Sequence, residues 1–330
     1  MTTKGQTESG YDALLFVSFG GPEGMDDVMP FLENVLRGRN VPRERMMQVA
    51  SHYNQLGGVS PMNEQNRKLI SALEKELETN GPRLPIYWGN RNWHPLLPDA
   101  VQKMADDGRK KALAFVTSAY SSYSSCRQYL QNIADARAAV GEEAPEIHKL
   151  RAFYNHPLFI EANVDHVRAA LNRLEPTSDS LHLVFTAHSI PESMAENCEY
   201  ANQLREASRL VASAVGIDNW ELVYQSRSGR PGDPWLEPDV SDYLRRERAA
   251  GLQAAVICPI GFVCDHIEVL YDLDREAAGM CREIGLPMAR AEAVNDDPLF
   301  LDMMADVVLR TITKYEHGRP LPLAAASSRP

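Results

Sequence analysis

The chain has 330 residues, 44% of them hydrophobic and 24% charged, enough apolar material for one large or two medium cores. Its formal net charge of −11 argues against a nucleic-acid partner and for a surface that draws cations. No apolar run approaches the roughly 20 residues of a membrane span, and the first ten residues lack the apolar segment of a signal peptide, so a cytoplasmic location is expected.

In chain order, residues 13–19 read as a strand, followed by the Gly-rich turn 20–24 and a helix over 26–36. Residues 43–56 and 63–79 read as helices on either side of the turn 57–61. A strand is expected at 85–89, a helix at 97–107 and a strand at 111–117. The Ser/Tyr-rich segment 118–125 precedes a helix from about 126 to 140. Residues 147–152 suit a fourth strand. The second half repeats the scheme. Helices are expected at 158–174, 200–215 and 240–250, with strands at 182–187, 221–225 and 253–259 between them. A Pro-rich loop covers 230–238, a short strand 288–291 and a last helix 298–315. Strands alternating with helices imply parallel sheets covered on both faces. The five cysteines, Cys126, Cys198, Cys258, Cys264 and Cys281, are odd in number and lack close pairing, as expected for reduced thiols.

Residues 14–23 (LLFVSFGGPE) align without gaps on residues 183–192 (LVFTAHSIPE). Both read as strand, small loop, Pro-Glu and helix. Phe19 and His188 hold the same place, at the carboxyl end of the first strand of each half. Two similar doubly wound domains are implied, and ligands of such sheets bind at the carboxyl ends of strands.

Residues 260–277 contain the strongest chemical signal. Wound as an α-helix at about 100° per residue, Asp265, Glu268, Asp272 and Glu276 fall on one face. Such like charges repel, and no Lys or Arg on the stripe offsets them. The stripe is either a solvated acidic face near a helix N-terminus or a path for a cation. His188 and the 260–268 turn both follow strands of the same half, so an imidazole and a carboxylate can meet there. That donor mix suits iron or zinc. Two protein ligands make an open, weak site, fit for a metal that leaves as substrate.

Other chemistries fit less well. Pro22 removes a backbone donor from the 20–24 turn and Glu23 places a negative charge where phosphate would sit. No Gly-x-Ser-x-Gly elbow exists. An acceptor for the metal is suggested by Arg37, Arg39, Tyr53, Ser60, Tyr120, Tyr123 and Tyr129, whose donors suit carboxylates. Phe19, Trp88 and Trp93 suit a flat apolar ring. An ordinary tyrosine-bearing surface and Trp-containing core would read the same way.

Taken together, residues 185–191 (FTAHSIP), 224–227 (YQSR), 234–239 (PWLEPD) and 259–272 (PIGFVCDHIEVLYD) resemble the ferrochelatases, with support from 18–22, 37–39 and 57–61. The resemblance covers about residues 12–317. It implies a class II chelatase-like fold: two Rossmann-like domains, residues 11–150 and 151–297, with a porphyrin held in the cleft between them. Helix 298–316 is implied to pack back on the first domain. It assigns His188 and Glu268 to catalysis and metal binding, and Asp272 and Glu276 to a metal or proton path. Ser60 and Tyr129, and less closely Tyr53 and Arg37, match porphyrin-binding positions. The reaction implied is insertion of Fe(II) into a porphyrin in haem synthesis. The compact actinobacterial form is the nearest likeness, which points to coproporphyrin III. The alternatives are protoporphyrin IX, a non-catalytic tetrapyrrole carrier, or a cobalt or nickel chelatase. Some coproporphyrin enzymes carry a tyrosine where this chain has Phe19, so an axial iron ligand would have to be His188 or water. Cys126 resembles a cluster-region cysteine, but no cysteine follows Leu301, so no [2Fe–2S] cluster and no resident cofactor are expected. A transient haem acceptor or iron donor protein is a further implied partner.

Overall fold

The computed structural model describes residues 10–38, 41–122, 127–174, 180–228 and 232–316. Arg39, Tyr123, Cys126 and both chain ends lie outside these described residues. The first half runs β1 (Ala13–Ser18), α1 (Met25–Val35), α2 (Arg43–Gln55), α3 (Met62–Asn80), β2 (Ile86–Asn90), α4 (Leu97–Asp106), β3 (Lys111–Val116), α5 (Gln128–Val140) and β4 (Glu146–Lys149). The second runs α6 (Pro157–Leu171), β5 (Leu181–His188), α7 (Glu192–Ala195), α8 (Tyr200–Val215), β6 (Trp220–Gln225), α9 (Val240–Ala249), β7 (Ala254–Cys258), α10 (Ile267–Val269), a π-helical segment (Leu270–Ala277), α11 (Ala278–Glu283), β8 (Met288–Arg290) and α12 (Pro298–Glu316).

Two four-stranded parallel sheets result, ordered β2-β1-β3-β4 and β6-β5-β7-β8. All six residues of β1 and all five of β7 are buried. Strands covered on both faces need apolar side chains on both, which is why they read as continuous apolar runs. In each sheet the chain leaves the second strand toward one edge and returns beside it on the other. This creates a crevice at the carboxyl ends of β1 and β3, and another at β5 and β7.

One continuous core joins the halves. Phe16 and Phe115 of the first sheet and Phe185 and Val256 of the second belong to the same buried cluster, with Leu73 of α3, Phe159 of α6, Leu204 of α8 and Met304 of α12. Helix α12 packs against both α3 and α6. Tyr120 crosses between the halves, its hydroxyl donating to the Ile260 carbonyl at 2.8 Å. His52 of α2 stacks on Tyr271 with ring centroids 3.9 Å apart.

The main departure from the sequence reading is the helix after β7. It starts at Ile267, capped by His266, and widens into a π-helix over Leu270–Ala277. Bonding from i to i+5 enlarges the turn, so residues spaced by four still share a face. Glu268, Asp272 and Glu276 keep their ladder. Asp265 does not belong to it. It precedes the helix, and Arg290 binds it at 2.8 Å, Asn295 Nδ2 at 3.1 Å and Ala293 N at 3.3 Å.

Candidate active site

His188 is the last residue of β5, at the crevice of the second sheet. Its Nδ1 lies 2.5 Å from the Ser189 carbonyl. A carbonyl oxygen only accepts, so Nδ1 carries the hydrogen and the neutral ring keeps its lone pair on Nε2. That nitrogen faces Glu268 Oε2 at 4.0 Å, with both side chains partly open to solvent. The strand end is held in place: Tyr200 donates to the His188 carbonyl at 3.0 Å, and Ser189 N donates to Gln225 O at 2.8 Å.

Glycine brings the two sides together. A Cβ on Gly261 would stand 2.5 Å from Ala187 Cβ, and Gly261 N donates to Thr186 O at 3.0 Å. The turn after β7 therefore lies flat on the end of β5, one residue before His188. Beyond it, His266 Nδ1 accepts from Glu268 N at 3.2 Å. Burial pushes the His266 pKa down, against the pull of Glu268.

Gln225 and Ser226, at the end of the neighbouring strand β6, hold the ladder. Gln225 Nε2 donates to Glu268 O at 3.2 Å and to Asp272 Oδ2 at 3.3 Å, and Ser226 Oγ donates to Asp272. Burial raises the Asp272 pKa to about 7; the Glu268 and Glu276 charges add to this, and the Ser226 hydrogen bond opposes it. Burial, then Asp239, raises Glu276 too. Among the described residues, no three His, Cys, Asp or Glu side chains converge on one point as a closed metal site would require.

The facing wall comes from the first half. Phe31, Tyr53, Phe19 and Trp93 form an apolar cluster that also takes in Ile267, the residue before Glu268. Tyr53 is buried. Its pKa is raised by burial and then by the Glu268 charge, which marks the two as neighbours. Tyr129 is 6% exposed and its pKa is pushed up to about 12 by burial. Ser60 is 3% exposed beneath Gly21, where an added Cβ would meet Ser60 Cβ at 2.5 Å. Arg37 stands exposed in the turn after α1.

The structure thus gathers His188, Glu268, Asp272, Glu276 and Tyr53, and sets Ser60 and Tyr129 into the opposite wall. Sequence reasoning missed Arg91, whose guanidinium lies 5.8 Å from the Phe19 ring centroid and 5.6 Å from that of Tyr129. It directly follows β2, so the strand-end rule that found His188 could have found it. His266, Gln225 and Ser226 were missed as well, although each lies inside a quoted motif.

Two like sheets flanking a cleft, with an imidazole and an acidic ladder at one switch point, define a two-lobed α/β protein of chelatase architecture. The sirohydrochlorin chelatase SirB of Bacillus subtilis subspecies spizizenii, solved with cobalt, has a similar fold: TM-score 0.54 at 9% identity, over 94% of this chain and 98% of that one. SirB of Bacillus subtilis with Fe3+ gives 0.56 at 10% identity, over 94% and 98%. Sequence relationships are closer. The ferrochelatase family model matches residues 11–312. A ferrochelatase of Rhodopirellula baltica is 57% identical, over 92% of this chain and 87% of its own. Coproporphyrin III ferrochelatases of Streptomyces coelicolor (52%; 91% and 85%) and Mycolicibacterium smegmatis (50%; 94% and 91%) are also similar. The chain belongs to the ferrochelatase family.

Proposed function

We propose that the protein inserts Fe(II) into coproporphyrin III during haem synthesis. Metal insertion into a porphyrin is the reaction of its family, and ferrous iron is a substrate there, not a resident cofactor. The observation that supports the site assignment is the His188–Glu268 pair, 4.0 Å apart and facing the aromatic wall. We divide the chain near residue 150, with residues 11–150 supplying the porphyrin wall and 151–297 the metal side.

The chemistry exchanges two pyrrole N–H protons for one Fe(II). A flat ring keeps its nitrogen lone pairs in plane, so the ring must bend before the metal can approach. That strain is offset by binding elsewhere, from the apolar wall and the carboxylate contacts. His188 Nε2 and Glu268 carry the ion to the bent face. The same nitrogen, with its hydrogen fixed on the opposite side of the ring, can accept a departing proton. Asp272, held near neutral titration by burial, passes protons along the ladder to Glu276 and water. Ser60, Tyr129, Tyr53 and Arg37 remain our porphyrin-side residues, with Arg91 added. Phe19 offers no oxygen to iron.

The choice of coproporphyrin III rests on the names of the similar actinobacterial proteins, with protoporphyrin IX as the alternative. No helix among the described residues is long and apolar enough to cross a membrane. We place the protein in the cytoplasm, with a haem acceptor and an iron donor as passing partners. Anaerobic Fe(II) mixed with each porphyrin tests the reading by absorbance. Coproporphyrin III should give the metalloporphyrin spectrum fastest. A protein that binds the ring without turnover would be a carrier instead.

A further inference from the structure

Two asparagines tie together the loops that carry the first-half wall. Asn63, in the first turn of α3, and Asn90, the last residue of β2, are both fully buried. Asn63 Nδ2 donates to Gly21 O at 3.2 Å and to His94 O at 3.1 Å. Asn90 Nδ2 donates to Asn63 Oδ1 at 3.1 Å and to His94 O at 3.0 Å. Asn90 Oδ1 accepts from Trp88 Nε1 at 2.9 Å.

All four amide hydrogens and both amide oxygens of the pair therefore have partners. Turning either amide over would set N–H against N–H and oxygen against oxygen, so a single arrangement is specified. The connection continues outward. Arg67, which pairs with Glu23 at 2.5 Å, holds its guanidinium 5.6 Å from the Trp88 ring centroid. The chain of contacts thus leaves the 20–24 turn at Glu23 and returns to it at Gly21. Glycine permits the close fit: a Cβ on Gly20, at φ +83°, would stand 2.9 Å from Asn90 Cβ and 3.1 Å from Trp93 N.

Each tied segment carries a residue of the wall. Phe19 directly precedes the Gly20-Gly21 turn, Ser60 lies just before α3, and Arg91 and Trp93 stand between Asn90 and His94. Backbone bonds add to the tie: Arg91 N donates to Ser18 O at 2.9 Å, Asn92 N to Phe19 O at 3.0 Å and Ser60 N to Pro22 O at 2.8 Å. The two asparagine side chains are closed off from solvent and spend their donors on the protein, so they act only through the loops they hold.

We infer that Asn63 and Asn90 are positioning residues that keep this wall stiff enough to bend the ring. The inference rests on the ferrochelatase reading above and deepens it. Bending costs free energy, and binding to the wall offsets that cost only if the wall does not yield. A wall that relaxes around a flat ring binds it as well, or better, but delivers less strain. Weakening the network therefore separates two quantities: affinity for the ring survives while the rate of metal insertion falls.

The test compares the full chain with Asn63→Ala, Asn90→Ala and Trp88→Phe, the last and mildest of which removes the indole N–H that reaches Asn90. Tyr87→Phe is the control. It lies on the same strand, at the end away from the wall, and loses a bond to Asp107 at 2.7 Å and one from Arg109 at 3.0 Å. Fluorescence quenching gives the dissociation constant for coproporphyrin III, and anaerobic stopped flow with Fe(II) gives the metallation rate. The out-of-plane resonance Raman lines of the bound ring report its distortion. Each alanine variant should metallate roughly tenfold to a hundredfold more slowly, with affinity changed less than about threefold and weaker out-of-plane lines. Trp88→Phe should shift the same way by less, and it decides the matter if the alanine variants do not fold. Tyr87→Phe should lose stability and keep the wild-type rate and Raman lines. Unchanged metallation in folded variants, parallel loss of rate and affinity, or an equal effect of Tyr87→Phe overturns the inference. Wild-type protein that binds coproporphyrin III and never metallates it overturns the ferrochelatase reading itself, and the inference with it.

Discussion

His188 has one nitrogen committed to the Ser189 carbonyl and the other facing Glu268. In the mechanism proposed above its role depends on a single lone pair, which would either hold iron or take a proton. Replacing it removes both options. His188→Ala should lower metallation by roughly a hundredfold to ten-thousandfold while porphyrin quenching persists, since no wall residue is touched. Near-normal turnover would remove the residue from the mechanism. Asp272 makes a prediction about stability. Its folded pKa of about 7 lies above the ordinary 3.8, so between those values the folded protein keeps a proton that the unfolded chain has lost. The contribution is full at low pH and declines as pH rises through 7, by at most about 4 kcal/mol. Asp272→Asn carries no charge to bury and can still accept from Ser226. In urea melts it should be more stable than the parent at pH 8, with the difference shrinking toward pH 4. A constant difference would show that the carboxyl is ionised throughout.

At the level of elements, two contacts hold the turn after β7 in place. Gly261 lets it lie against β5. In Gly261→Ala the new methyl would stand 2.7 Å from Ala187 Cα, so strand or turn must shift. The cost should be roughly 1–3 kcal/mol, with slower metallation at nearly unchanged porphyrin affinity. Stopped-flow metallation beside a binding titration separates the two. Arg290 braces the same element from behind. Its side chain, 13% exposed, binds Asp265 at 2.8 Å and Asp274 at 2.6 Å and 2.9 Å, one partner before the helix and one within its π-turn. Arg290→Met leaves the Asp265 carboxylate, 12% exposed, without its cation. Chemical denaturation should show a loss of roughly 3 kcal/mol. The ladder Glu268, Asp272, Glu276 was legible because side-chain spacing survives a change of winding. The π-helix was not, because a shift from i+4 to i+5 bonding leaves no periodic mark in so short a segment. Asp265 was misread for a related reason: its cation comes from β8, 25 residues later.

Across the whole molecule, the echo between residues 14–23 and 183–192 identified the two corresponding strands correctly: β1 and β5 hold the same place in sheets of identical order. Buried parallel strands announce themselves as short apolar runs, so most of the architecture could be read directly. Contacts between distant segments could not. Tyr53 beside Glu268 and Tyr120 against Ile260 depend on how the halves meet, which no local pattern encodes. That meeting has a thermodynamic signature. Because one apolar cluster runs through both sheets and α12 touches each half, neither should melt alone. Calorimetry should give one transition whose calorimetric and van't Hoff enthalpies agree. Two resolved transitions would show that the halves fold separately.

The matched strand ends also divide labour between twins. One twin finishes on an imidazole beside an acidic ladder; its sibling finishes on Phe19, packed edge-on against Phe31. Each polypeptide thus offers a greasy palm and a charged thumb cut from the same pattern. Approach from one direction meets an imidazole and carboxylates, while approach from the other meets aromatic rings with the Arg91 guanidinium over Phe19 and Tyr129. Under the proposed reaction, a planar guest lodged between them would be handled asymmetrically by a nearly symmetric host, with its cargo arriving on one side.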